Sequence, residues 1–237
     1  MEQAAIVTGA AKRIGAAIAK ALAEQGYDIA LHCNTSRNEA EATAAEIRNT
    51  GRACEVFPCD LADSKQASGL VPAAFQRFPG CNLLVNSASI FERGHLMETD
   101  HELFDRHWNI NFKSPFFLTR DFAQRCKSGQ VINLCDTKIA EDLVSYFVYT
   151  LTKKALYAFT RMAAKELGPG IRVNAVAPGM ILPSKGHTDE DLVRMSMKLP
   201  LGRRGGEDRV VSAVLFLLGN DYITGECLFV DGGGHLH

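Results

Sequence analysis

The feature that most constrains this chain is an alternation: short β-branched or aliphatic runs, each followed by a longer stretch of helical period. "AAIVT" precedes "RIGAAIAKALAEQG", where Ile14, Ile18 and Leu22 recur at i+4 and Gly26 closes the helix. "YDIALHC" precedes an Ala/Glu-rich helix running to about Gly51, and "ACEVFPCD" precedes another that ends near Pro79. "NLLVNSAS" leads to a long helical segment from Thr99 to about Lys127. "QVINLCD" leads to a helix from about Ser145 to Leu167, and "IRVNAVAPG" leads to a polar loop. "DRVVSAVLFLLG" and a terminal strand "CLFVDGG" complete the pattern. Runs apolar at every position suit strands buried on both faces, as in parallel sheets.

Seven strands with six intervening helical segments predict an α/β fold. With right-handed crossovers the simplest topology is a single Rossmann-type doubly wound parallel sheet flanked by helices. No linker, charge block or repeat divides the 237 residues, so residues 1–237 are expected to form one domain, with a substrate loop over about 180–205. In such sheets ligands bind beyond the carboxyl ends of the strands. That directs attention to Thr8–Gly15, Cys33–Arg37, Asp60, Asn86–Phe91, Asp136 and Pro178–Leu182.

Lysine plus arginine (26) nearly balances aspartate plus glutamate (27), which argues against a nucleic-acid partner. No stretch approaches the roughly 20 apolar residues of a bilayer span. Met1-Glu2-Gln3 leads directly into an apolar run without a cationic leader, and the seven cysteines lack framework spacing. A cytoplasmic protein with free thiols is expected. Metal binding has little support: histidines and cysteines show no close paired spacing, and His235-x-His237 lies at the tail. Cys135 reads as a small strand residue.

"TGAAKRIG" follows the first strand and opens the first helix. Gly9 can adopt a backbone conformation closed to other residues, Gly15 permits close helix–strand approach, and the helix N-terminus offers N–H groups to a pyrophosphate. After strand two, an enzyme selective for NAD would place a carboxylate for the ribose hydroxyls. Cys33 and Asn34 stand there instead, and Asn34, Thr35, Ser36 and Arg37 offer donors to a 2′-phosphate, so NADPH is favoured. A solvent-exposed Arg37 is an equally open reading.

Tyr149 and Lys153 lie four apart and share one helix face about a turn from each other. An ammonium beside a phenol is expected to stabilise the phenolate and lower its pKa. Tyr146 stands seven from Lys153 and cannot supply that relation, while Lys154 points away. Upstream lies Asp136, whose ionised carboxylate only accepts hydrogen bonds and would repel a ketone oxygen. It suits a substrate with N–H donors, or one whose reduced atom is an imine nitrogen; a simple turn cap is the plainer alternative.

Taken together, Thr8-Gly9-x-x-x-Arg13-x-Gly15, Asn86-x-Ala88, Asn111, Tyr149-x-x-x-Lys153 and Pro178-Gly179 resemble the short-chain dehydrogenase/reductase family, over essentially the whole chain. Arg13, where the family commonly has glycine, and Asp136, where it commonly has serine, are similar to the pteridine reductase and dihydromonapterin reductase branch. The resemblance implies an NADPH-dependent reductase of a C=N bond in a pterin-like substrate. In it Tyr149 is the general acid, working with Asp136, and Lys153 also binds the nicotinamide ribose while Asn111 supports a proton-relay water. Arg13 would reach the cofactor pyrophosphate and the pterin edge. Phe91 would stack on the ring and Ser89 contact it, with core packing the alternative for Phe91. Asp60 would accept from the adenine amino group, or else cap a helix. Ile14, Leu61, Asn86 and Ala88 join the cofactor contacts, with Pro178, Gly179 and Ile181 against the nicotinamide.

Ser87 departs from the asparagine common in relatives. Gly179, Pro183 and Gly186 break the substrate loop, and Thr188 before Asp189-Glu190-Asp191 predicts a helix start. The His235-Leu236-His237 tail would approach a neighbouring subunit's site or fray. The helices from about Thr99 and Ser145 resemble those that build homotetramers in this family. Two competing functions stay open: a carbonyl reductase, for example of 3-oxoacyl thioesters, and a non-catalytic dinucleotide sensor.

Overall fold

The computed structural model describes residues 3–183 and 188–236. Gly186 and His237 lie outside them. The strands are β1 (Ala4–Val7), β2 (Asp28–Cys33), β3 (Cys54–Pro58), β4 (Cys81–Asn86), β5 (Gly129–Leu134), β6 (Ile171–Pro178) and β7 (Cys227–Val230). They form one sheet in the order β3-β2-β1-β4-β5-β6-β7, all parallel. The order reverses between β1 and β4, which opens a crevice beyond their carboxyl ends.

The helices are α1 (Arg13–Glu24), α2 (Arg37–Asn49), α3 (Ser64–Arg77), α4 (His101–Trp108), α5 (Ser114–Arg125), α6 (Phe147–Leu167), α7 (Asp189–Ser196) and α8 (Glu207–Gly219). Ile18 and Leu22 of α1, Ile47 of α2 and Val214 and Leu217 of α8 bury one face of the sheet. Leu70 and Val71 of α3, Phe122 of α5 and Ala163 and Ala164 of α6 bury the other. The two apolar layers answer to strands that are buried throughout, such as β1 and β2. Among the described residues no helix is long and apolar enough to cross a membrane.

Three expectations needed adjustment. The long helix from Thr99 is interrupted: α4 and α5 flank a π-helical turn over Asn109–Lys113. Pro115, near the start of α5, carries no N–H, so the carbonyl of Asn111 loses its regular α-helical donor and the spiral widens there. The helix expected from Ser145 begins at Phe147. Asp60 and Asp136 lie two residues beyond β3 and β5, not at their ends, so both hang over the crevice.

Candidate active site

β1 ends in a tight turn that sets one wall. Gly9 is left-handed (φ 64°), and a Cβ there would lie 2.8 Å from Ala88 Cα. At Gly15 a Cβ would sit 2.3 Å from the Gly9 carbonyl oxygen, so only glycine lets α1 approach this turn. Thr8 Oγ1 ties the turn to β4 by accepting from the N–H groups of Ser87 and Ala88 at 2.9 and 3.0 Å. Gly9 N–H donates to Nδ1 of buried His32 at 3.1 Å. The ring proton is therefore on Nε2, which donates to Cys59 O at 3.0 Å. Burial holds the His32 pKa below its usual value, which keeps this neutral tautomer. Sequence reasoning missed His32; its strand position carries no sign of this double contact.

Two adjoining cavities lie in the crevice. The smaller, about 380 Å³, is lined by Gly9, Arg13, Ile14, Asn34, Thr35, Ser36, Asp60, Leu61, Ala88 and neighbours. Its lining suits the adenosine and phosphate portion of a dinucleotide. The left-handed turn leaves a cradle that a Cβ would fill, the N-terminus of α1 faces it, and no carboxylate stands at Cys33 or Asn34 to oppose a 2′-phosphate. Two expected contacts are not among the lining. Arg37 is exposed at the head of α2. Asn86 turns into the core, where its Nδ2 donates to Asn133 Oδ1 at 2.8 Å. Asp60 lines the cavity and also caps its own turn, accepting from Ala62 N–H at 2.8 Å, while the N-cap of α3 is Asp63.

The larger cavity, about 690 Å³, shares Arg13, Ile14, Ser87 and Ser89 with the first. Asp136, Tyr149 and Lys153 meet in its wall, with Phe91, Tyr146, Pro178, Gly179 and Ile181 around them. Arg13 is left-handed (φ 57°), where a side chain is strained, and its Nη2 donates to Pro183 O at 3.0 Å. It thus spans from the phosphate turn to the loop over the larger cavity. Phe91 is not core-packed: it is 38 % exposed, lies face to face with Tyr146 at 4.1 Å and meets the Tyr149 ring edge-on at 4.6 Å. Tyr146 therefore belongs to the site as an aromatic wall, a role the four-residue spacing argument passed over.

Tyr149 OH donates to Asp136 Oδ2 at 2.6 Å, and Asp136 Oδ1 accepts from Lys138 N–H at 2.9 Å. Lys153 Nζ donates to Leu134 O at 2.7 Å and lies 5.7 Å from the centroid of the Tyr149 ring. Lys154 pairs with Asp142 at the surface. The lowering of the Tyr149 pKa expected from Lys153 is outweighed by its surroundings. Burial and then the adjacent Asp136 carboxylate push the phenol well above its usual range. Burial raises Asp136 too, against the opposing hydrogen bond from Tyr149 and the charge of Lys153, and burial pulls Lys153 down. Asp136 is thus the more acidic partner of a proton-sharing pair.

Asn111 is fully buried in the π turn. Its Oδ1 accepts from Ser89 Oγ (3.1 Å) and Ile90 N–H (2.9 Å), and its Nδ2 donates to Ile90 O (3.0 Å) and Thr152 Oγ1 (3.3 Å). The side chain locks the Ser89–Phe91 strip to α6, leaving the backbone carbonyl as the group released by Pro115. Over the cavity, α7 begins as expected: Thr188 and Asp191 form a reciprocal capping box.

The model of a family described as enoyl-(acyl carrier protein) reductase matches residues 9–235. The chain is 32 % identical over 244 residues to 3-oxoacyl-(acyl-carrier-protein) reductase FabG of Staphylococcus aureus, covering 100 % of this chain and 99 % of that protein. It is similar to the crystal structure of FolM alternative dihydrofolate reductase 1 from Brucella suis in complex with NADP. That match has TM-score 0.94 and 39 % identity, over 99 % of this chain and 95 % of the other. A blue fluorescent protein from a metagenomic library, in complex with NADPH, matches with TM-score 0.90 and 34 % identity, over 98 % and 97 % of the two chains.

Proposed function

The chain belongs to the short-chain dehydrogenase/reductase family, and from that premise we propose that it is an NADPH-dependent reductase of a C=N bond in a pterin-like or dihydropterin-like substrate. The observation that carries this reading is the 2.6 Å hydrogen bond from Tyr149 to Asp136 in the wall of the larger cavity. A ketone reductase needs donors at the carbonyl oxygen, and the half-buried Asp136 opposes one whenever it is ionised. A carboxyl that can both give a proton and accept N–H groups has two uses at a ring nitrogen. A ring nitrogen that must gain a proton, beside N–H groups that must be accepted, fits the same carboxylate.

Gly9, Ile14, Asn34, Thr35, Ser36, Asp60, Leu61 and Ala88 would hold the adenosine and phosphate portion of NADPH, while Lys153, Pro178, Gly179 and Ile181 would flank its nicotinamide. When bound, NADPH supplies a hydride to the ring carbon. Asp136 and Tyr149 deliver the matching proton to the adjacent nitrogen. The phenol passes its hydrogen on as it takes one from the protonated carboxyl, so both groups change hydrogen-bond direction together. Lys153, anchored on Leu134 O, holds positive charge close to the ring of Tyr149 and offsets the negative charge left behind. Phe91 and Tyr146 offer flat faces to a heteroaromatic ring, and Arg13 a cation to the pyrophosphate and the ring edge. The free thiols agree with a cytoplasmic setting.

Support for the cofactor and the substrate also comes from the NADP complex of the Brucella suis dihydrofolate reductase. A second reading, 3-oxoacyl thioester reduction, is favoured by the Staphylococcus aureus relative. A panel of dihydrobiopterin, dihydromonapterin, dihydrofolate and a 3-oxoacyl thioester, followed by NADPH oxidation, separates the two. The pterin reading expects turnover of at least one pteridine, lost in Tyr149→Phe and in Asp136→Ser. Turnover of the thioester alone, improved by Asp136→Ser, would establish the second. NADPH binding without turnover of anything would leave a dinucleotide sensor.

A further inference from the structure

The turn after β7 makes contacts that neither the sheet nor the proton-sharing pair explains. Asp231 is 7 % exposed. Its Oδ2 accepts from Thr137 Oγ1 at 2.6 Å, from His235 N–H at 2.9 Å and from His235 Nδ1 at 2.8 Å, while Oδ1 accepts from Gly233 N–H at 3.0 Å. Burial alone would raise this carboxyl, but these donors prevail and hold it below the usual range, so it is ionised and His235 Nδ1 carries the hydrogen. The imidazole is fixed from its other side by the Phe229 ring, stacked at 4.2 Å and 25°. Of the two readings of the tail, fraying does not apply at His235, which is anchored twice to its own chain.

The same turn touches three walls of the larger cavity. Thr137 adjoins Asp136 in the chain, so the bond to Asp231 holds the loop that presents the carboxylate. A Cβ on Gly179 would lie 2.6 Å from Asp231 Cβ, so the turn after β6 rests directly on this aspartate. The segment leaving α7 rests there as well. Leu201 N–H donates to Gly232 O at 3.1 Å, and a Cβ on Gly233 would be 2.8 Å from Pro200 Cγ.

We propose that His235 is a positioning residue of the substrate cavity: by clasping Asp231 it holds the Asp136–Thr137 loop and the segment below α7 in one arrangement. The side chain does not line the cavity and contacts no reacting atom; Asp231 and Gly234 do line it. The adenosine side of the crevice, at Asn34, Asp60, Leu61 and Ala88, shares no residue with the clasp. Loss of His235 therefore loosens the substrate side and leaves the adenosine and phosphate contacts in place.

The test uses full-length His235→Ala and His235→Gln, the latter keeping an N–H donor for Asp231. Amide exchange is the primary readout and does not depend on the substrate assignment. Exchange in 137–140 and 199–202 should rise about tenfold in the alanine variant, as expected when a charge-assisted hydrogen bond is lost, with β1, α1 and α2 unchanged. The kinetic readout rests on the pterin reading: KM for the pteridine should rise about tenfold, and glutamine should restore most of the loss. The NADPH Kd, which draws mainly on the untouched adenosine side, should rise much less. Unchanged exchange in both segments, exchange that rises evenly along the chain, or a glutamine variant as impaired as alanine would each overturn the clasp. A wild-type protein inactive on every pteridine would remove the substrate assignment, while the exchange data would still decide the role of His235.

Discussion

Arg13 and Asp136 show how single side chains trade stability for chemistry. A non-glycine residue at φ 57° costs roughly 1 kcal/mol or more of backbone strain, which glycine would not incur. Arg13→Gly is therefore expected to stabilise the fold by up to about 1 kcal/mol in denaturant titration, while NADPH affinity and pteridine turnover both fall. Asp136 carries the same logic through ionisation. Its folded pKa is raised, so ionising it costs more in the native state than in the unfolded chain, and at neutral pH the carboxylate costs stability that it would not cost below its unfolded pKa. Asp136→Asn, neutral at every pH, should raise the melting temperature at pH 7 and abolish turnover. In the native enzyme, turnover should decline as pH rises through the raised pKa of Asp136, because the proton donor is then lost. A pH–rate profile with no descending limb, or a limb that survives in Asp136→Asn, would remove Asp136 from the donor role.

Neighbouring elements are joined by polar struts, and these set how the fold responds to acid. His32 links β2 to the phosphate turn and to the β3 exit. His107 of α4 is fully buried; its Nδ1–H donates to Leu103 O at 2.9 Å and its Nε2 accepts from Glu92 N–H at 3.4 Å. Both rings are neutral in these roles, and burial lowers both pKa values. Unfolded histidines bind protons below about pH 6.5 that the folded ones refuse. The stability from these rings is thus complete above that pH and is lost progressively below it, toward their folded pKa values. A dependence of the melting temperature on pH between 7 and 5 that is unchanged in His32→Gln would contradict the assignment. The element pattern was legible in the sequence because alternating periods are local. Tyr149 and Lys153 were legible because an i, i+4 pair fixes its own geometry. His32 gave no such signal: its neighbours are set by the sheet order. The clasp joins Thr137 to Asp231 across 94 positions of the chain, a separation that no local period spans. Pro115 did mark the π turn, but only through the carbonyl four residues earlier.

The way the helices are laid down leaves one face of the fold uncovered by the described residues. α4 and α5 pack beside α6, and their outward positions are apolar: Phe104, Phe116, Phe117, Leu151 and Met162 are all exposed, Met162 at 71 %. Inside them runs an aromatic row, with Trp108 edge-on to Phe112 at 5.4 Å and Phe112 edge-on to Phe159 at 6.2 Å. A rigid apolar face backed by such a row is costly to leave in water, and a second copy of the same helices would cover it symmetrically. We propose that pairs of subunits join through α4, α5 and α6, and that the homotetramer expected from the family resemblance needs a second contact on another face. An interface of that kind needs on the order of 1,000 Å² or more, and two long helices per subunit can supply it. Light scattering should give four times the 25.9 kDa of one chain. Phe116→Asp combined with Leu151→Asp should reduce that mass to two chains or one. Both residues lie on the outer surface, away from either cavity lining, so the NADPH Kd should stay within about twofold of wild type. A wild-type mass of one chain would end the tetramer proposal. A mass unmoved by the double substitution would place the contact on another face.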